Sequence, residues 1–244
     1  MRSTTRRLMI LAMVTVAMGC GDSDEGGTTS TSSVTSTPDH VVPADFVAAV
    51  TNPYFPLQPG TVFNFVNKED AVTQNVTVTV THDTKVILGV PCTVVHDVVM
   101  QSGQLAEDTF DWYAQDKDGT VWYFGEDTKA YASDGSFSTE GSFEAGVNGA
   151  KPGFIIKLHP TVGDAYRQEF AAGVAEDRAE ILSVDESATV QAGSFQHCVK
   201  TKDFSDLEPG VTENKFFCPN TGQILAVTVQ GGTGREELVS ITHG

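Results

Sequence analysis

Residues 110–127 read FDWYAQDKDGTVWYFGED. Two Trp-Tyr pairs, 112–113 and 122–123, stand on either side of Asp116-Lys117-Asp118-Gly119. Counted as an EF-hand loop from Asp116, Asp118 falls at position 3, but Gly119 falls at position 4 instead of 6 and position 12 is Asp127 instead of Glu. Calcium in that sense is excluded. Asp and Gly at these offsets suit a short hairpin loop with Gly in the left-handed region. A tight turn predicts Tyr113 opposite Trp122 and Trp112 opposite Tyr123, which places aromatic pairs on both faces of the hairpin. A sheet solvated on one face needs aromatics on one side only, so the second face is either covered or lines a pocket.

The same period of two extends outward along the chain. Val76, Val78 and Val80 alternate with threonines, and 92–100, 108–114, 120–124 and 176–184 continue in kind with turns every eight to twelve residues. Only Pro43–Val50 has a helical look. The predicted class is all-β, an antiparallel meander forming a half-barrel or curved sheet with one short N-terminal helix. A self-similarity at an offset near 103 suggests two tandem halves, 57–124 and 160–230. LQPGTVFNFV from Leu57 matches PTVGDAYRQEF from Pro160, aligning Gly60 with Gly163. VILGVPCTVVHD parallels VQAGSFQHCVKTKD, and DWYAQDKDGTVWY parallels KFFCPNTGQILAV, aligning Gly119 with Gly222. Residues 125–160 lie between the copies and are expected to cover the open face.

The N-terminus gives an address. Arg2, Arg6 and Arg7 precede an apolar run, 8–18, too short to span a bilayer as a mature helix. Ala17-Met18-Gly19-Cys20 resembles the bacterial lipobox, with Ala where Leu is usual. The expectation is a signal peptide over 1–19, a lipid-modified Cys20, and a Gly/Ser/Thr-rich tether over 20–42 with no apolar period. About 22 such residues reach roughly 25 Å, which lifts a domain clear of lipid headgroups. One β domain over 43–244 remains. Gly21 is not the Asp of an inner-membrane retention signal, so in a cell with two membranes the outer one is favoured. The predicted location is the extracytoplasmic side of the cell envelope.

The chain has 15 Lys+Arg against 32 Asp+Glu, a net charge of −17. Removing residues 1–19 takes away three arginines and no acids, which leaves −20. Such a surface repels nucleic acid and anionic headgroups, so no nucleic-acid partner is expected.

NPYFPLQPGT, DWYAQDKDGTVWYFGED, EAGVNGAKPG and AGVAEDRAE together resemble a group of uncharacterised bacterial secreted proteins and lipoproteins, over roughly residue 46 to the end. Phe143 stands where that pattern leads one to expect Trp. The resemblance implies an envelope address and no reaction. AGSFQHC and ENKFFCPNTG also resemble β-rich domains related to periplasmic lipoprotein carriers and lipid-binding half-barrels, an analogy of fold alone.

Three cysteines follow Cys20. Cys198 and Cys218 lie opposite each other if the hairpin HCVKTKDFSDLEPGVTENKFFC turns at SDLEPG, and an oxidising envelope permits a disulfide there. Cys92 is then an odd thiol. If His82 lies across from His96 or Asp97, then His82, His96 and Cys92 form a weak candidate zinc or copper set, against a plain cross-strand polar pair. GxSxG, P-loop and GxGxxG motifs do not occur, and no cofactor is expected.

These readings point to a tethered β domain that binds an apolar, lipid-like ligand or an envelope protein. Its candidate ligand-facing residues are Trp112, Tyr113, Trp122, Tyr123, Glu126, Asp127 and Glu144. A structural or protein-interaction module without a ligand is the alternative, distinguished by an exposed apolar patch in place of a cavity. A carboxylate-dependent hydrolase using Glu126, Asp127 or Glu144 is a third, and requires two such groups in one cleft. No catalytic residue is assigned.

Overall fold

Alternating apolar and polar residues build long antiparallel strands, and their bulges bend those strands into a wall. The computed structural model describes residues 40–244; Cys20, the signal segment and the tether up to residue 39 lie outside the described residues. In chain order the strands are β1 (Phe46–Val47), β2 (Val62–Glu69), β3 (Val72–Ile87), β4 (Val90–Gln101), β5 (Gln104–Asp116), β6 (Val121–Tyr131), β7 (Phe137–Ser138) and β8 (Phe143–Glu144). They continue as β9 (Lys151–Ile156), β10 (Ala165–Arg167), β11 (Glu169–Phe170), β12 (Asp177–Val190), β13 (Gly193–Ser205), β14 (Thr212–Cys218), β15 (Gly222–Gln230) and β16 (Arg235–Thr242). The predicted helix over 43–50 is a single 3₁₀ turn, Pro43–Asp45. Phe46 and Val47 then pair with Asp116 and Gln115 of β5, because an open strand edge satisfies their backbone groups better than an isolated turn of helix.

The sheet order is β10-β12-β13-β14-β15-β16-β2-β3-β4-β5-β6-β9-β11. The wall therefore curls well past a half-barrel, because its first and last members are consecutive in the chain. Residues 165–167 pair with β12, residues 169–170 pair with β9, and the Gln168 N–H between them donates to Asp177 O at 2.8 Å. β9 and β10 share no register pairs, so one seam stays unsealed, bridged by the Tyr166 hydroxyl donating to Ile155 O at 3.0 Å. Gly153 is required at this crossing, since a Cβ there would lie 2.2 Å from the backbone carbon of Gln168.

Residues 125–160 also contribute strands to the wall. β7, β8 and β9 all pair with β6.

The hairpin of residues 110–127 departs from plain alternation by one bulge. Tyr113 pairs with Tyr123 and Ala114 with Trp122, while Trp112 faces Gly125 and Asp111 faces Glu126. The expected Tyr113–Trp122 pair is therefore off by one residue and the expected Trp112–Tyr123 pair by two. The turn is one residue longer than assumed, Asp116 N–H donating to Thr120 O at 3.0 Å. Phe124 is the extra residue, so Tyr123 and Glu126 both point inward although three apart. Gly125 makes this possible: it has φ +132°, and a Cβ there would sit 2.1 Å from Phe143 O.

Candidate functional site

The barrel interior is apolar at one end and carboxylate-rich at the other. At the apolar end, Phe55, Leu57, Phe63, Phe65, Val78 and Phe217 wall an open recess. Its floor carries Asp97, Asp111, Gln168, Lys215 and Gln223. The recess holds about 690 Å³ out to its mouth, of which the centre of a water molecule can reach about 70 Å³.

The sequence builds this rim locally. Phe63 and Phe65 of β2 stand opposite Val78 and Val76 of β3, the inward members of a period-two pattern. Phe55 and Leu57 come from the irregular segment before β2. Gln115 Oε1 holds that segment by accepting the N–H groups of Thr51 and Asn52, each at 2.7 Å. Asn52 Nδ2 donates to Gly119 O at 2.7 Å, and the Asn220 N–H donates to Pro53 O at 2.7 Å. Phe55 packs on Tyr113 at 5.1 Å and on Phe217 at 6.3 Å. The predicted disulfide is present, joining Cys198 to Cys218 next to Phe217.

Below the floor lies a polar layer. Lys215, 2% exposed, ion-pairs with Asp203 at 3.0 Å and lies 3.8 Å from Glu213. Burial alone would lower its pKa, but Asp203 and Glu213 outweigh that and hold it charged. The Thr201 hydroxyl donates to Asp203. The Tyr123 hydroxyl donates to Asp111 at 2.7 Å, and the same oxygen lies within hydrogen-bond reach of Glu126 at 3.1 Å.

At the far end a second recess of about 530 Å³ out to its mouth is lined by Glu107, Glu126, Glu140, Glu169, Asp177 and Glu208. The centre of a water molecule reaches only about 30 Å³ of it. Burial, with Asp111 and Glu107 close by, pushes the Glu126 carboxyl well up. Burial and Asp177 do the same to Glu169. Burial also pushes Asp177 up to about 7, against the pull of Lys215 and a hydrogen bond from Ser205. General acid–base pairs need environments that drive two pKa values apart. Here Glu126, Glu169 and Asp177 are all driven upward.

The candidate residues from the sequence divide between inside and outside. Tyr113 lines the apolar recess, Tyr123 lies beneath it, and Glu126 reaches the acidic recess. Trp112 and Trp122 alternate to the outer face. There Lys85 Nζ lies 3.3 Å from the centre of the Trp112 ring, and Trp122 donates to Asp116 at 2.8 Å while packing on Phe46 and Phe154 at 5.3 and 4.6 Å. These outer aromatics are covered by β1 and by the segment after β6, so no ligand is needed to cover them. Asp127 is exposed on the outside, and Glu144 is held outside by Lys85 at 2.7 Å. The bulge at Gly125 explains both, since Glu126 takes the inward position and its neighbours turn away.

The candidate metal set does not assemble. The register of β3 with β4 slips between Val80 and Thr84, so His96 faces Thr79 and His82 falls among the unpaired residues of the slip. His82 is exposed. His96 stacks on Phe110 at 4.3 Å and bonds Asp108 at 2.6 Å. Cys92 is buried, which pushes its thiol up to about 12. Among the described residues no group of three His, Cys, Asp or Glu side chains is placed to hold a metal ion.

No family model and no curated protein matches this sequence. Two solved structures are similar in fold. One, from Bacteroides fragilis, is described as an exported protein with a YmcC-like fold; it is 12% identical with a TM-score of 0.43, covering 77% of this chain and 98% of that one. The other, from Parabacteroides distasonis, is described as a lipoprotein; it is 11% identical with a TM-score of 0.48, covering 78% of this chain and 99% of that one. Likeness at this level assigns nothing to the site.

Sequence reasoning missed most of the floor. Asp97, Gln168, Lys215 and Gln223 come from four separate strands or strand junctions. The available signal was charge at inward positions: in EN-K-FF-C, Glu213 and Lys215 share the face of Phe217, where an apolar pattern was due.

Proposed function

We propose that this chain is a membrane-anchored envelope lipoprotein whose β-barrel binds an apolar, lipid-like ligand in the recess framed by Phe55, Leu57, Phe63, Phe65, Val78 and Phe217. The observation that carries the ligand reading is the open apolar recess over a buried polar floor, the usual make-up of a small-molecule site. The anchoring rests on the sequence before residue 40, where Cys20 follows a basic and apolar leader.

A protein-interaction surface has less in its favour. Among the described residues the most exposed large apolar side chains, Val86, Val162, Phe137 and Val229, are dispersed over β3, the connection before β10, β7 and β15. The test uses an environment-sensitive apolar fluorophore titrated into the purified domain, with native mass spectrometry of protein taken directly from cells. Saturable probe binding and a co-purifying apolar mass are expected. Val78→Trp, which fills the recess, is expected to weaken the probe by about tenfold or more while the circular dichroism stays that of the wild type. Probe binding unchanged in that variant places the ligand elsewhere.

A further inference from the structure

The floor of the apolar recess specifies more than burial. Gln168 is 2% exposed, and its side-chain carbonyl oxygen has no hydrogen-bond partner. Gln223 presents a buried Nε2 in the same condition, and both residues line the recess. A buried amide acceptor and a buried amide donor without partners each cost about 1–3 kcal/mol in a closed core, so their place at the end of an open recess calls for a ligand group that completes them. With the Gln168 oxygen and the Gln223 nitrogen both facing a ligand, the group that completes them must be able both to donate and to accept.

The charges around this floor narrow the class. Asp97 and Asp111 share the floor with the two amides. Asp111 accepts a hydrogen bond from Tyr123 at 2.7 Å, and Lys215, the buried cation of the floor, is taken by Asp203 at 3.0 Å and Glu213 at 3.8 Å. An anionic head would enter beside carboxylates with no uncommitted cation to meet it. A cationic head would meet Asp111 already engaged by Tyr123 and would lose its hydration against two neutral amides, whereas a neutral head leaves the existing hydrogen bond and ion pair undisturbed.

Resting on the reading of this recess as an apolar-ligand site, we propose that its ligand is an amphiphile with an uncharged hydroxyl or amide head, bound head-first against Gln168 and Gln223 with its chain along the apolar rim. The position of Gln168 supports this. It is the residue at which the chain passes from β10 to β11 and leaves the sheet ladder, so its side chain is set by the seam itself.

The experiment displaces the bound fluorophore with decanol, decanoate and decylamine at neutral pH, each below its aggregation limit. Decanol is expected to compete at about tenfold lower concentration than either charged compound, the ratio that one satisfied buried hydrogen-bonding group is worth. Gln168→Leu is expected to shrink that ratio toward one without loss of fluorophore binding. Decanoate or decylamine competing as well as decanol overturns the head-group assignment and leaves the apolar site standing, as does an undiminished ratio in Gln168→Leu. Absence of fluorophore binding in the wild type overturns the site itself.

Discussion

At one end of the barrel Phe63, Phe65, Val78 and Phe217 face an open recess; at the other, Glu107, Glu126, Glu169 and Asp177 crowd a tighter one. The same strands supply both. β5 gives Tyr113 to the first and Glu107 to the second, and β6 gives Tyr123 to the layer beneath the first and Glu126 to the second. A period-two strand chooses its face by alternation but its depth by position along the strand, so one wall can carry two chemistries stacked along the barrel axis. The apolar end keeps room by lining itself with side chains that cannot bond across it. The acidic end is tied across itself by hydrogen bonds between Tyr123 and Glu126, from Ser205 to Asp177 and between Glu169 and Asp177.

Lys215 lies where the two ends meet, and its removal has the largest expected effect on the contrast between them. Lys215→Met strips Asp203 and Glu213 of their cation in a site where both are fully buried. Breaking such a pair costs about 3–5 kcal/mol, so urea unfolding at neutral pH should show a clear fall in midpoint, partly restored at pH 5 where the orphaned carboxyls protonate. A midpoint unchanged at neutral pH would mean the ion pair adds nothing to the junction.

The acidic end should set the pH dependence of the whole barrel. Asp177 has its folded pKa pushed up to about 7 from an ordinary 3.8, so the folded state holds its proton more tightly than the unfolded chain does. Its contribution to stability is complete below about pH 4 and is lost as pH rises through 7. Glu126 and Glu169, pushed the same way by burial and neighbouring carboxylates, add to the loss with the same sign. The groups facing Asp177 are Glu169, Lys215, Ser205, Asp203 and Glu208, of which only Lys215 and Ser205 favour its charge. Melting scans are expected to give a higher Tm at pH 5 than at pH 8. Asp177→Asn, which keeps a partner for Ser205, should narrow that gap by roughly 3–6 °C through a rise at pH 8. A gap of the same width in the variant would assign the pH dependence elsewhere. Probe binding in the apolar recess should be indifferent to this substitution.

The smallest effects belong to the outside of the wall. Asp127→Asn and Glu144→Gln touch an exposed carboxylate and a solvent-facing ion pair with Lys85, and each should shift stability by no more than about 0.5 kcal/mol. Neither should alter probe affinity, and a loss of affinity in either would bring the outer face of residues 110–127 back as a binding surface.

Much of the wall was legible in the residues because alternation is a local signal. Val76, Val78 and Val80 announced β3, and the turn between Cys198 and Cys218 brought those two opposite each other as counted. The hairpin of residues 110–127 was legible as a hairpin but not in register, because one longer turn shifts every pair and one bulge reverses every face beyond it. The longer turn set Tyr123 instead of Trp122 beside Tyr113, and the bulge then brought Glu126 inward and turned Asp127 and the partner of Gly125, Glu144, outward; Trp112 is outside by plain alternation with Tyr113. Pro43–Val50 misled for a related reason, since the partner that drew it into a strand, β5, lies about seventy residues away.

The amino-acid sequence alone determined that this chain is antiparallel β, joined by short turns, bridged between Cys198 and Cys218, and strongly acidic, because each of these follows from neighbours in the chain or from composition. Whether the sheet stayed a half-barrel or curled toward closure was decided by residues 165–170, which pair with β12 on one side and β9 on the other across a glycine that lets the backbones meet. That closure brings Gln168, Lys215, Asp97 and Gln223 to one floor. Their meeting depends on the circumference and tilt of the finished wall, quantities that no stretch of the chain carries by itself.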